Sequence, residues 1–173
     1  MIKGSLVTLR MYRSFDEVVE VFDAFNTMEI RAITDHTELY HPNNLRGDFE
    51  KNGLWSKDKG TLLIVNHQDE KLGTISFSRS TEQEVQIGYR IYAGKDRNKG
   101  YMTQALRLFS SYLFETIPFI TRLSLLTAED NVPSRKLAEK CGYRQEGMLR
   151  NAYFYRGKIC NWVIYGLLRE EVE

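Results

Sequence analysis

Apolar residues along the chain change their period several times, and the changes mark its elements. Leu6, Val7 and Leu9 make 5–10 a first strand. Ser14 precedes Phe15, Asp16 and Glu17, and serine followed by glutamate at this spacing is a capping box. Val18, Val19, Phe22 and Phe25 follow at helical spacing, which predicts a helix to about residue 27. Residues 28–60 hold a polar, aromatic-rich stretch, 34–42, and then a short helix at about 45–54 that ends near Gly53. Irregular segments of this length in a compact domain often serve as binding loops.

Three strand signals come next, at 61–66, 71–79 and 84–92, and they read as an antiparallel meander. In the last of them Val85, Ile87, Tyr89 and Ile91 share one face, and Gln86, Gly88 and Arg90 share the other. The polar loop 94–100 leads straight into 101–116, where Ala105, Leu108, Phe109, Tyr112 and Leu113 repeat at helical period until Pro118 stops them. Leu123, Leu125 and Leu126 make 122–128 a short buried strand. Pro133 suits the first turn of a helix over 134–140, and Gly142 suits its C-cap. Strands at 145–155 and 158–168 follow, joined by a turn at Arg156 and Gly157. This order predicts an α/β (α+β) fold: a mixed, mostly antiparallel twisted sheet of about seven strands, flanked by about four helices, with one βαβ step.

Composition narrows the class. A chain of 173 residues, 42% hydrophobic and 27% charged, suits a single domain spanning 1–173. A net charge of +1 argues against holding nucleic acid by global electrostatics. No apolar run approaches the roughly 18 residues that cross a bilayer. The N-terminus has neither an apolar signal core nor a cleavage pattern, so the expected location is the cytoplasm, away from membranes. Cys141 and Cys160 form no CxxC pair and HExxH is absent, so no metal is expected.

The loop-to-helix junction carries the chemistry. Arg97, Asn98, Lys99, Gly100, Tyr101 and Met102 lie between a strand and a helix, which sets free backbone N–H groups at a helix N-terminus. Those donors suit a pyrophosphate, and Gly100 removes a Cβ from the approach. A plain helix cap with a glycine turn fits the same residues. A second segment, from Asn131 through Ser134, Leu137, Glu139 and Lys140 to Gly142 and Tyr143, follows a buried strand. Together the two segments resemble motifs A and B of the GNAT superfamily of acetyl-CoA-dependent N-acetyltransferases. Glu146-Gly147-Met148-Leu149-Arg150, Gly157 and Tyr165-Gly166 extend the likeness toward the RimJ/RimL branch, the ribosomal-protein N-terminal acetyltransferases.

The resemblance implies a splayed central strand pair, with acetyl-pantetheine lying between strands 84–92 and 122–128 like an extra strand. It implies that backbone groups near Ile91 and Tyr92 pair with the pantetheine amides, that 97–102 holds the pyrophosphate, and that Asn131 and Ser134 face the thiol side. Acetyl-CoA is then the donor. The acceptor is a primary amine, on a protein N-terminus or on a small molecule such as an amino sugar or antibiotic. The protein is then a monomer or homodimer.

The chain departs from the pattern at several places. Met102 replaces the last small residue of motif A, and Ala138 stands where many relatives carry a tyrosine that protonates the leaving thiolate. Ser134 is the alternative donor. Tyr153 stands where RimL-type enzymes place a base, and Asn161 where the branch often has an acid. Glu84 and Glu82, on or just before the strand bordering the gap, are candidate bases, and Glu82 also a candidate acceptor contact. His36 and Tyr40 are candidate acceptor contacts in the long loop, and Arg135 a candidate for the 3′-phosphate. Because of these departures a non-catalytic acyl-CoA-binding sensor on the same fold stands as the alternative.

Overall fold

A computed structural model describes residues 1–25, 41–92, 94–155 and 158–172. Among them the sheet has eight strands: β1 (Ile2–Lys3), β2 (Thr8–Arg10), β3 (Lys59–Val65), β4 (Lys71–Arg79), β5 (Glu84–Ile91), β6 (Arg122–Ala128), β7 (Arg144–Tyr155) and β8 (Lys158–Leu168). Their order is β1-β2-β3-β4-β5-β6-β8-β7. All neighbours are antiparallel except β5 and β6. Four α-helices accompany them: α1 (Phe15–Phe25), α2 (Arg46–Asn52), α3 (Tyr101–Thr116) and α4 (Val132–Lys140). Of the expected first strand at 5–10 only Thr8–Arg10 forms, as β2, because Gly4 N–H donates to Val7 C=O and the turn so made lays β2 back on β1, which lies before the expected span.

The run Leu62-Leu63-Ile64-Val65 is apolar throughout because both faces of the sheet are covered. Leu62 and Ile64 join a core with Ile75, Phe77, Leu106, Phe109 and Leu123, beneath α3. Leu63 and Val65 join a second core with Tyr12, Val18, Val21 and Tyr92, beneath α1. Trp55, set down beside β3, meets Phe77 edge-on at 5.1 Å and so packs the first core.

Polar contacts fix the ends of the elements. Gln104 Oε1 accepts from Leu6 N–H and Val7 N–H at 2.7 and 2.9 Å, which binds the N-terminal hairpin to α3. Arg169 donates to the carbonyls of Phe114, Ile117 and Ile120 and so closes the carbonyl end of α3. Glu17 reaches back to Arg13 N–H at 2.8 Å, one residue before the serine of the expected capping box. Its carboxylate also receives the Arg10 guanidinium at 2.8 Å, and Arg10 grips Asp69 at 2.8 Å on its other edge. Arg10 is only 4% exposed, so its guanidinium has given up nearly all its water, and the Glu17 and Asp69 carboxylates offset that loss as the clamp sets α1 on the sheet.

Two outcomes follow from this framework. The Arg10 guanidinium holds the Glu17 carboxyl below its ordinary value near 4.5. A lowered folded-state value adds stability that is present above 4.5 and is lost as pH falls through the folded value. Glu17→Gln is expected to cost about 1–3 kcal/mol at neutral pH, with the difference from wild type shrinking in acid, as read by urea titrations across pH. Separately, a Cβ on Gly73 would fall inside the carbonyl oxygen of Arg90 on β5. Gly73→Ala is expected to lower stability by roughly 1–3 kcal/mol in the same titrations, because the obstacle is backbone.

Candidate active site

The cleft begins where two strands stop pairing. β5 and β6 are in parallel register at Glu84 with Arg122, Val85 with Leu123 and Gln86 with Ser124, and no further. Beyond that vertex β5 stays on β4 while β6 stays on β8. Tyr92 N–H donates to Leu72 C=O at 2.9 Å. Alternation along an antiparallel pair therefore turns the peptide groups of Ile87, Tyr89 and Ile91 away from β4 and into the opening. Tyr92, expected to offer its backbone there, has its N–H committed to β4 instead. Its side chain is buried in the second core.

The opening is part of a cleft of about 1180 Å³. Residues of both cores contribute to its wall, so it passes through the sheet at the vertex. Val21, Phe22, Thr74 and Ser76 line it on the α1 side, and Leu137 and Ser134 on the α4 side.

At the wide end lies the start of α3. Arg97, Asn98, Lys99 and Gly100 line the cleft together with Tyr101, Met102 and Thr103. Gly100 caps the helix with φ 83°, and Asn98 precedes it with φ 61°. The first intrahelical bond runs from Gln104 N–H to Gly100 C=O, so the N–H groups of Tyr101, Met102 and Thr103 have no partner within the helix. Those donors, the helix dipole and Arg97 make an anion cradle. Lys99 is held by Asp96 at 3.2 Å. Lys136 and Lys140 of α4 also line the cleft. Arg135, expected among the phosphate contacts, turns the other way. Its guanidinium donates to Tyr165 Oη, Glu129 C=O and Gln145 Oε1.

Asn131 is the N-cap of α4, and its Oδ1 accepts from Ser134 N–H at 3.3 Å. That places Ser134 in the first turn, in the cleft wall. Its Oγ lies 2.8 Å from the hydroxyl of Tyr89, a residue that sequence reasoning missed. Burial pushes the Tyr89 phenol up to about 12, against a downward pull from its bond to Ser134. Ala138, where the resemblance would place a tyrosine, is buried in the core. Tyr89 comes from β5, and the shared face of Ile87, Tyr89 and Ile91 was the signal that could have found it.

Other expected residues are not brought here. Glu84 sits at the paired vertex, where its carboxylate is 3.7 Å from Arg122 Nε, and Arg122 is also paired with Glu146. Glu82 lies exposed in the turn before β5, beyond the vertex. Tyr153 is on β7, with β8 between it and β6, and its ring meets Trp162 at 5.0 Å. Asn161 ties Glu129 to Asn151. His36 and Tyr40 lie outside the described residues. Asp96 is the one carboxylate of the cleft wall among the described residues. Among them no three His, Cys, Asp or Glu groups come together as metal ligands, and no helix is long and apolar enough to cross a membrane.

Known proteins share this fold. The family model for the acetyltransferase (GNAT) domain matches residues 7–144. The prophage-derived uncharacterized N-acetyltransferase YokL of Bacillus subtilis (strain 168) is 24% identical over 98% of this chain and 94% of its own length. YdaF of the same organism, named provisionally as a ribosomal N-acetyltransferase, is 33% identical over 53% of this chain and 49% of its own. The spermidine N-acetyltransferase of Vibrio cholerae, solved with CoA and spermine, superposes with a TM-score of 0.84 at 17% identity, covering 98% of this chain and 99% of that one. The family match runs from the start of β2 to the start of β7 and so takes in both walls of the cleft; this chain belongs to the GNAT family and is an N-acetyltransferase.

Proposed function

We propose that the enzyme moves an acetyl group from acetyl-CoA to a primary amine by direct attack, with both substrates in the cleft at once. The observation that carries this reading is the pairing of an unbonded strand edge with a helix-terminal anion cradle. Ile87, Tyr89 and Ile91 offer peptide groups in a row, as a neighbouring strand would require. Tyr101, Met102 and Thr103 offer amides at the wide end of the same opening. An acyl-pantetheine arm carrying a pyrophosphate has amides and charge in that order. The donor supplies the activated acyl carbon, and the protein supplies orientation and charge.

The remaining chemistry belongs to the chain. A primary amine with pKa near 10.4 is mostly protonated at neutral pH and must lose a proton before attack. Water in the cleft carries that proton away. An N–H of β5 at the vertex faces the acyl oxygen, where negative charge develops as the C–N bond forms. As the C–S bond breaks its electron pair stays on sulfur, and the Ser134 hydroxyl donates a hydrogen bond to it. Once the C–N bond has formed the nitrogen sheds a second proton, which matches the one the thiolate finally takes up, so the first is the net proton released to solvent.

The acceptor enters from the α1 side, where Thr61, Thr74 and Ser76 bring hydroxyls and Arg90 a cation. Both a peptide N-terminus and a small amine meet this chemistry. The name of YdaF supports a RimJ/RimL-like assignment. Spermidine, in the name of the Vibrio enzyme, represents the small amines.

Gly100→Asp places a carboxylate and a strained backbone at the cradle. Acetyl-CoA affinity by calorimetry is expected to fall at least about 100-fold, and unchanged affinity removes the cradle from its role. Glu84→Gln, at the vertex, is expected to leave the pH–rate profile as in wild type. A loss confined to neutral pH would make Glu84 the base.

A further inference from the structure

We infer that Tyr89 is a positioning residue for the leaving group: it takes up the acceptor side of the Ser134 hydroxyl and leaves the serine proton aimed into the cleft. This rests on the role given above to Ser134 and deepens it.

A serine inside a helix usually spends its proton on a carbonyl of the preceding turn. Ser134 makes no such bond among the described residues. The nearest candidate, Asn131 C=O, already accepts from Arg135 N–H at 3.1 Å. Among the described residues the one partner of Ser134 Oγ is Tyr89 Oη, at 2.8 Å. Two arrangements satisfy that distance. If Ser134 donates, the phenol proton is left for the cleft that Tyr89 also lines or for Ser134 C=O, which is 3.5 Å away and a poor acceptor at that range. If Tyr89 donates, its proton is satisfied at 2.8 Å and the serine proton is left for the cleft. The phenol is the more acidic hydroxyl and so the better donor, which favours the second arrangement. It stays protonated at working pH because burial holds its ionisation far above neutrality.

The consequence for the reaction is directional. A free serine hydroxyl rotates, and only part of its population points at the sulfur when the C–S bond breaks. A serine whose lone pair is occupied by Tyr89 has its O–H turned away from β5. No proton leaves Tyr89 in this step. Tyr89 comes from β5 while Ser134 comes from α4, so the pair also spans the two elements that flank the donor arm. This gives the chain a way to serve the leaving thiolate without the tyrosine that Ala138 replaces.

The test is a double-mutant cycle on kcat, with KM for acetyl-CoA and direct CoA binding measured alongside. Tyr89→Phe keeps the ring and removes the hydroxyl. It is expected to lower kcat about tenfold while KM for acetyl-CoA stays within about twofold. Ser134→Ala is expected to lower kcat at least as much. The double variant is expected to fall no further than Ser134→Ala, because Tyr89 acts only through that serine. Ser134→Thr, which restores the hydroxyl, is expected to recover most of the loss in the presence of Tyr89 and little of it when combined with Tyr89→Phe. Should Tyr89→Phe fail to bind CoA or to fold, Tyr89→Leu replaces it in the same cycle. Losses that multiply in the double variant, or a Tyr89 variant with wild-type kcat beside an impaired Ser134→Ala, overturn the inference while leaving Ser134 in place. A Ser134→Ala enzyme with unchanged kcat overturns the serine's role and this inference with it.

Discussion

Hydrogen bonding along one strand governs this molecule. β5 is paired on its β4 side for almost its whole length and on its β6 side only at Glu84, Val85 and Gln86. Every peptide group past that point on the β6 side is exposed to whatever fills the opening. Leaving buried amides unmet costs roughly 1–3 kcal/mol each, so the arrangement persists only where water or a ligand takes the missing strand's place. Two ladders hold the strands to their outer neighbours past that point: β5 on β4, where Gly73 leaves room for Arg90 C=O, and β6 on β8.

From that constraint the two sides of the enzyme follow. The opening passes through a sheet that is covered on both faces, so it is lined from the α3 and α4 side and from the α1 side. The helix-terminal amides serve the α3 side. The α1 side is set by the Arg10 clamp, which ties β2, the start of α1 and the β3–β4 turn into one unit. Val21 and Phe22 of that helix reach the cleft wall. A small ion network toward one edge of the sheet thus bears on the shape of the α1 side of the cleft.

Much of this was legible in the residues. The span 101–116 reads as a helix from its apolar period and coincides with α3, and 122–128 and 158–168 coincide with β6 and β8. The loop 97–102 was legible as a glycine and basic strand-to-helix junction, which a plain helix cap fits as well, and its residues do line the cleft. What could not be read was lateral position. Sequence order sets β7 before β8, but the sheet inserts β8 between β6 and β7, which carries Tyr153 away from the cleft. Parity along β5 told which side chains share a face but not where β6 would part from it, so Glu84 read as a cleft residue. Tyr89 was hidden for a related reason: its partner lies 45 residues away, and only folding brings the two hydroxyls together.

The place of β8 has one more consequence. It follows β7 in the chain yet forms the second neighbour of β6, and Arg169, just beyond it, closes α3. A ribosome therefore exposes a half-built donor wall until residue 169 has cleared the exit tunnel. Until that moment β6 shows a bare edge and α3 an open end, and the nascent enzyme has one wall of its cleft unfinished.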